Sequence, residues 1–235
     1  MSFVRLTIAA VLTAVLPLAA CGASNGASPS GESASALLSA SHDSLPTAGD
    51  TALERRADQA RIQGKGDAPL WIVEVSDFQC PYCRAWHENT YPAVIKEFVE
   101  TGKARLAYIN FPIPGHRNAW PAAEAAMCAG AQGRFWQMHD GLFQTQQEWE
   151  SLQDPGTLFD SLATSAGVEL GKYRDCVGGH ETQSLIQADI DRAKESGVNA
   201  TPTFIIGDQA LSGAQPIQAF RQVIDEQLKK SGQGN

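Results

Sequence analysis

The chain is short of positive charge. Its 235 residues carry 18 Lys and Arg against 26 Asp and Glu, a formal net charge of −8, and the basic residues form few clusters. Nucleic-acid binding rests on Lys and Arg meeting phosphate, so that class of partner is set aside, and the acidity speaks only for solubility. Long apolar runs are also missing. The stretch from Leu6 to Leu16 ends at Pro17 and falls short of the roughly 20 residues a membrane-spanning helix needs. There is no internal repeat, and no Met-rich or His-rich tract of the kind that carries metal. His87, His116, His139 and His180 are scattered and give no evident ligand set. Cysteine is scarce. Of Cys21, Cys80, Cys83, Cys128 and Cys176, only Cys80 and Cys83 are close in sequence, whereas a four-thiolate zinc site needs a second close pair.

What is present begins with an ordinary composition, 43% hydrophobic and 19% charged, enough for a core of normal size. Residues 1–20 place Arg5 before the apolar run and the small residues Ala19 and Ala20 after it. That is the layout of a secretory signal peptide. Leu18-Ala19-Ala20-Cys21 resembles the lipobox of bacterial lipoproteins. The resemblance implies cleavage before Cys21, whose sulfur then carries the lipid. The alternative is a soluble exported protein in which Cys21 is lost or free. Residues 22–49 hold eight Ser, six Ala and four Gly, too few apolar groups to offset chain entropy. A flexible tether is expected there, spanning about 30 Å as a coil.

Composition changes at Asp50. Residues 50–62 read as a short helix. Leu70–Ser76 is a nearly continuous β-branched and apolar run, the pattern of a strand buried on both faces, with Glu74 as its exception. From Pro81 the pattern turns helical, with Trp86, Val94, Ile95, Phe98 and Val99 on one face, Pro92 expected to split it and Gly102 to end it. Residues 104–111 alternate as a second strand. Residues 116–195 give no strand signal; helical runs are expected around 118–131, 134–146, 155–165 and 182–195. A third strand starts after Thr201-Pro202, a short fourth covers 210–213, and an amphipathic helix closes the chain at 216–230. The helical block thus reads as an insertion between the halves of one sheet covered by helices.

Cys80-Pro81-Tyr82-Cys83 follows a buried strand and opens a helix. Unpaired N–H groups and the helix dipole at such an end favour an anion. Cys80 is therefore expected to be the low-pKa attacking thiolate and Cys83, one turn inside, the buried resolving thiol. Pro81 removes an N–H that has no helical partner. A buried, lone carboxylate is costly, and Glu74 is expected to serve as a proton acceptor for Cys83; the alternative is a solvated side chain. His87, one turn beyond Cys83, is a weak candidate for tuning the site.

The segment Val73-Glu74-Val75-Ser76-Asp77-Phe78-Gln79-Cys80-Pro81-Tyr82-Cys83, with Thr201-Pro202-Thr203-Phe204 downstream, resembles DsbA-like proteins of the thioredoxin superfamily. The likeness covers roughly residues 50–230 and implies an α/β, thioredoxin-like fold with an inserted helical domain. The thioredoxin-like part is expected at 50–115 and 196–235, the helical domain at 116–195, behind the signal peptide (1–20) and the lipidated tether (21–49). It implies a cis peptide bond before Pro202, in a loop beside the cysteines that binds extended substrate, with Thr201, Pro202, Pro81, Tyr82 and Glu74 supporting Cys80 and Cys83. With Cys21 given to lipid and Cys80–Cys83 to catalysis, Cys128 and Cys176 remain to form a structural disulfide, or else stay as two buried thiols. Strongly oxidising DsbA proteins carry His where this chain has Tyr82, which implies a weaker oxidant, at about −120 to −230 mV.

The implied function is a thiol–disulfide oxidoreductase that donates a disulfide to exported proteins with cysteines and is reset by a membrane redox partner. It would act without a cofactor or metal, as a monomer, in the cell envelope (on the periplasmic side of a membrane if the cell has two). A reductase or isomerase kept reduced by a membrane electron donor is the alternative, although 22–49 is too short and polar for a dimerisation domain. A non-catalytic peptide- or metal-binding module is the third reading.

Overall fold

A computed structural model describes residues 51–232. The expected signal peptide, the lipidation site Cys21 and the tether lie outside the described residues. Leu70–Ser76 forms β2, and all but Trp71 of its residues are buried. It lies at the centre of a five-stranded sheet of order β1-β3-β2-β4-β5. β3 (Ala104–Asn110) runs parallel to β2, with Glu74 beside Tyr108, and β4 (Thr203–Ile206) runs antiparallel on the other side, with Glu74 beside Phe204. β5 (Gln209–Ser212) pairs antiparallel with β4, and β1 (Ile62–Gln63) with β3.

Side chains on the two faces of a strand alternate, and they feed two apolar clusters. Ile72, Leu106, Phe204 and Ile206 pack with Trp86, Val94, Phe98, Phe220 and Ile224. Val73, Val75, Ile109 and Ile205 pack with the helical block and with Ile186 and Ile190. Helices therefore cover both faces, as a largely buried β2 requires.

Two helices flank β2 in sequence: α1 (Ala52–Ala60), with a capping box between Thr51 and Glu54, and α2 (Pro81–Asn89), which opens at the cysteine motif. α2 breaks at Thr90, and α3 (Tyr91–Val94) restarts with Pro92 in its first turn, where a missing N–H costs nothing. A π-helical turn, Ile95–Val99, follows, and the chain reverses at Gly102 with φ of 79°. Six helices lie between β3 and β4: α4 (Ala119–Gly130), α5 (Phe135–Gln144), α6 (Gln146–Trp149), α7 (Gly156–Ala166), α8 (Leu170–Gly178) and α9 (Gln183–Glu195). α10 (Ile217–Lys230) ends the fold. Half of α4 is alanine, and the helix is buried nearly all round, so its neighbours approach closely. Cys128 of α4 is bonded to Cys176 of α8, with Cα atoms 5.8 Å apart. Among the described residues no helix is long and apolar enough to cross a membrane.

Three sequence expectations need correction. β1 was not anticipated, because two residues carry no periodicity and β1 is defined only by its pairing with β3. β3 is a strand but not an alternating one: only Arg105 escapes burial, since the strand lies between β1 and β2 under helices. α8 was missed; its polar run ends in Gly178-Gly179, and its start is fixed by the Glu169 side chain, which accepts from the N–H groups of Gly171 and Lys172.

Buried charge ties the ends of the fold together. Arg61, 1% exposed, ion-pairs with Asp58 and with Asp189 of α9. Asp189 Oδ2 also accepts from the backbone and side-chain nitrogens of Asn110, at 3.0 and 2.9 Å.

Candidate active site

The C-terminal end of β2 delivers a tight loop that sets Cys80 at the N-cap of α2, with Pro81 as the first helical residue. The Asp77 carbonyl accepts from the Cys80 N–H at 3.0 Å. The Asp77 carboxylate, 2% exposed, holds the same loop through the N–H of Gln79 (2.7 Å), the N–H of Ile113 (2.9 Å) and His116 Nδ1 (2.6 Å). Burial raises its pKa, against the pull of those hydrogen bonds.

The helical block clamps the loop from above. Gln146, fully buried, donates through Nε2 to the carbonyls of Phe78 (2.6 Å) and Cys80 (3.0 Å), and its Oε1 accepts from Arg84 Nε (3.1 Å). Gln79 Nε2 donates to the Glu150 carbonyl, and Gln79 Oε1 accepts from the Asn118 N–H at 2.7 Å. Asn118 Nδ2 in turn donates to the carbonyls of Trp149 and Leu152, each at 2.9 Å. Gln146, Gln79 and Asn118 were not singled out from the sequence. Gln79 adjoins the motif, but nothing local marks the other two.

Opposite the cysteines, the peptide bond Thr201-Pro202 is cis, and the Thr201 carbonyl lies 3.6 Å from Cys80 Sγ. The structure thus brings Cys80, Cys83, Pro81, Thr201 and Pro202 together. Tyr82 stands beside them, 67% exposed. Cys80 keeps 3% of its surface open and Cys83 none, so only Cys80 can meet a second molecule. Both are free thiols in this structure. The Cys83 thiol donates to the Cys80 sulfur. Against the raising effect of burial, the Thr201 hydroxyl and the N–H groups of Cys83 and Tyr82 add to this and draw Cys80 down to about 6. Burial and the adjacent Cys80 charge push Cys83 well above the ordinary thiol value. The two thiols are thus driven apart, one to a thiolate at neutral pH and one to a protonated form.

On the strand that leads to them, Glu74 is fully buried, and neither of its oxygens has a hydrogen-bond partner among the described residues. Burial pushes its pKa up to about 8, and the Ser76 hydroxyl on the same strand face offsets this only in part. The Tyr108 phenol, its neighbour across the sheet, is raised by burial and by the charges of Glu74 and Cys83. Ser76 and Tyr108 are site residues that the sequence reading did not pick out.

The remaining candidates lie apart. His87 does not face the cysteines: its Nε2 pairs with Asp140 Oδ1 at 3.0 Å, and His139 Nδ1 pairs with the same oxygen at 2.9 Å. His116 pairs with Asp77, and His180 with Glu124 at 2.8 Å. Each of the four histidines among the described residues thus has a carboxylate partner, which no spacing in the sequence announces.

Comparison with known proteins places this geometry. The thioredoxin family profile matches residues 56–226. The probable disulfide bond formation protein D of Bacillus anthracis is 30% identical over 173 residues, 71% of this chain and 77% of that protein. The oxidised structure of BdbD from Bacillus subtilis superposes with a TM-score of 0.65 at 25% identity, covering 72% of this chain and 92% of that one. Alpha-DsbA1 of Wolbachia pipientis gives the same TM-score at 23% identity, covering 73% and 92%. A Na(+)/H(+) antiporter NhaA of Salinispora tropica is 33% identical over 164 residues, but the chain spans only 24% of that protein.

Proposed function

The chain belongs to the thioredoxin family, as a DsbA-like thiol–disulfide oxidoreductase, and from that premise we propose that it is a cell-envelope oxidase that passes a disulfide from Cys80–Cys83 to exported proteins. The observation that carries this reading is the split between the two thiols: Cys80, with a small opening to solvent, drawn down to about 6 beside a sealed Cys83 pushed up.

The reaction follows from that split. A substrate thiolate attacks Cys80 Sγ of the oxidised pair. The Cys80–Cys83 bond breaks, a mixed disulfide forms, and Cys83 leaves with the electron pair and takes up a proton. A second substrate thiolate then attacks the substrate sulfur of the mixed disulfide. Cys80 departs as thiolate, the substrate holds a new disulfide, and the enzyme has gained two electrons. A thiol of low pKa leaves fast, and stabilising its thiolate stabilises the reduced enzyme, which makes it an oxidant. Glu74, protonated at neutral pH at about 8, supplies the proton that Cys83 needs and takes it back on reoxidation. Thr201 and Pro202 present backbone to an extended substrate segment, and Tyr82 offers it an exposed ring.

A membrane redox partner resets the pair, and the protein works as a monomer. Envelope location rests on the N-terminal apolar run and on Leu18-Ala19-Ala20-Cys21, which supply a signal peptide and a lipid anchor. Cys128–Cys176, which joins α4 to α8, acts as a structural staple.

The test is the potential of the Cys80–Cys83 couple in glutathione buffers, read by alkylation and mass. A value between about −120 and −230 mV is expected. A value near −270 mV, in the range of thioredoxin, would favour the reductase reading that the absence of a histidine at Tyr82 keeps in view.

A further inference from the structure

Away from the cysteines, α2 and α5 bring three ligand-type atoms to one point. His87, His139 and Asp140 each offer one ligand atom, and these lie within 4.8 Å of one another, with Asp140 Oδ1 3.0 Å from His87 Nε2 and 2.9 Å from His139 Nδ1. We propose that His87, His139 and Asp140 form a binding site for a divalent transition-metal ion of the zinc class, which links the active-site helix to the helical insertion.

Geometry and chemistry both carry this. Ligands about 2.0–2.1 Å from a tetrahedral zinc ion stand roughly 3.3 Å apart, so the two N···O separations need to open by a few tenths of an ångström, and the two imidazole ligand atoms, within 4.8 Å of each other, need to close by about 1.5 Å at most. The donors are two imidazoles and one carboxylate, a set that suits zinc, cobalt or copper and not calcium or magnesium, which take oxygen ligands. Both rings are already fixed. His87 is stacked between Tyr91 and Phe143, with centroids at 5.1 and 5.0 Å. His139 is fully buried, its ring 5.0 Å from those of Trp136 and Phe143. Little side-chain entropy is left to lose on coordination. The Asp140 side chain is 42% exposed, so an ion has an entry path and keeps an open position for water, the arrangement of three-ligand zinc sites. Each imidazole now faces the carboxylate as an N–H donor, so binding an ion moves that proton to the outward nitrogen, His87 Nδ1 or His139 Nε2.

The strength expected is moderate. His87 Nδ1 and His139 Nε2, the nitrogens facing away from the ion, have no hydrogen-bond partner among the described residues. Such partners raise metal affinity by about 10–100-fold, so the site should bind at micromolar rather than nanomolar concentration. Because His87 lies one turn beyond Cys83 on α2, an ion there fixes that helix against α5 without touching the thiols.

The test uses the full chain with Cys80–Cys83 oxidised and Cys21 alkylated, so that no free thiol can ligate, and titrates it with cobalt(II). One equivalent is expected to give visible d–d absorption without the near-ultraviolet charge-transfer band of thiolate coordination. Zinc should displace it, and it should be lost in H87Q and in D140N, with both variants shown folded by circular dichroism. Absence of stoichiometric uptake by the unmodified protein at millimolar cobalt would overturn the proposal. So would uptake that survives D140N, or a band carrying thiolate charge transfer.

Discussion

Cys80→Ser will reduce disulfide transfer to the uncatalysed rate, while Cys83→Ser will accumulate covalent adducts with substrate. The asymmetry follows from position. Removing Cys80 leaves Cys83, a thiol with no exposed surface, whose burial, the largest cause of its raised pKa, remains when the Cys80 charge is gone. A thiol near 6 is about 90% thiolate at pH 7, whereas one above 9 is less than about 1%. Ionisation alone therefore costs about 100-fold, before access is counted. Removing Cys83 leaves the reactive sulfur in place and takes away the neighbouring thiol that would release the adduct formed when Cys80 attacks a peptide disulfide. Non-reducing gels of the two variants, incubated with disulfide-bearing peptide, check this. Adducts with Cys83→Ser that reductant releases are the expected outcome. Adducts with Cys80→Ser would show that the roles are reversed.

Glu74→Gln will make the protein more stable, and more so as pH rises. The Glu74 carboxyl titrates near 4.5 when exposed and at about 8 in the fold, so the native state holds a proton that the unfolded chain has released. Stability is then full below about 4.5, falls through the window from 4.5 to about 8, and falls no further above it. The window spans 8 − 4.5 = 3.5 pH units, and at about 1.4 kcal/mol per unit the penalty reaches at most about 5 kcal/mol. Gln cannot ionise, so its denaturation midpoints in urea should lose this pH slope. The same substitution should slow exchange at Cys83, since the proton source is gone. A variant with an unchanged pH–stability profile would mean that Glu74 is not raised, and the proton role given to it would go as well. A residue kept at such a cost in the centre of a sheet points to chemistry rather than to stability.

How far the sequence reached depended on where the information lay. The cysteine motif, its strand and helix, and Thr201-Pro202 are contiguous segments, so local pattern sufficed to read them. Pro92 marked the helix break because a single residue carries that effect. The Gln146 clamp was not legible: its partners are carbonyls 66 and 68 residues away, and a glutamine in a helical run looks like any solvated side chain. The same holds for His87, His139 and Asp140, which meet only because α2 and α5 pack together. β1 and α8 failed for a related reason, since pairing with β3 and the Glu169 cap define them more than apolar period does. Buried Glu74 was flagged as an anomaly in an apolar strand; the Ser76 and Tyr108 hydroxyls near it were not, because small or aromatic polar residues are common in strands.

The central claim is that Cys80–Cys83 works as a disulfide donor. The most direct measurement is the state of this pair in the cell that makes the protein, fixed by acid quenching and read by maleimide trapping of the full chain. Under the proposed function the pair is mainly oxidised, and becomes reduced when its membrane reoxidant is removed. A pair found mainly reduced in growing cells would contradict the claim and assign the protein to the reductases.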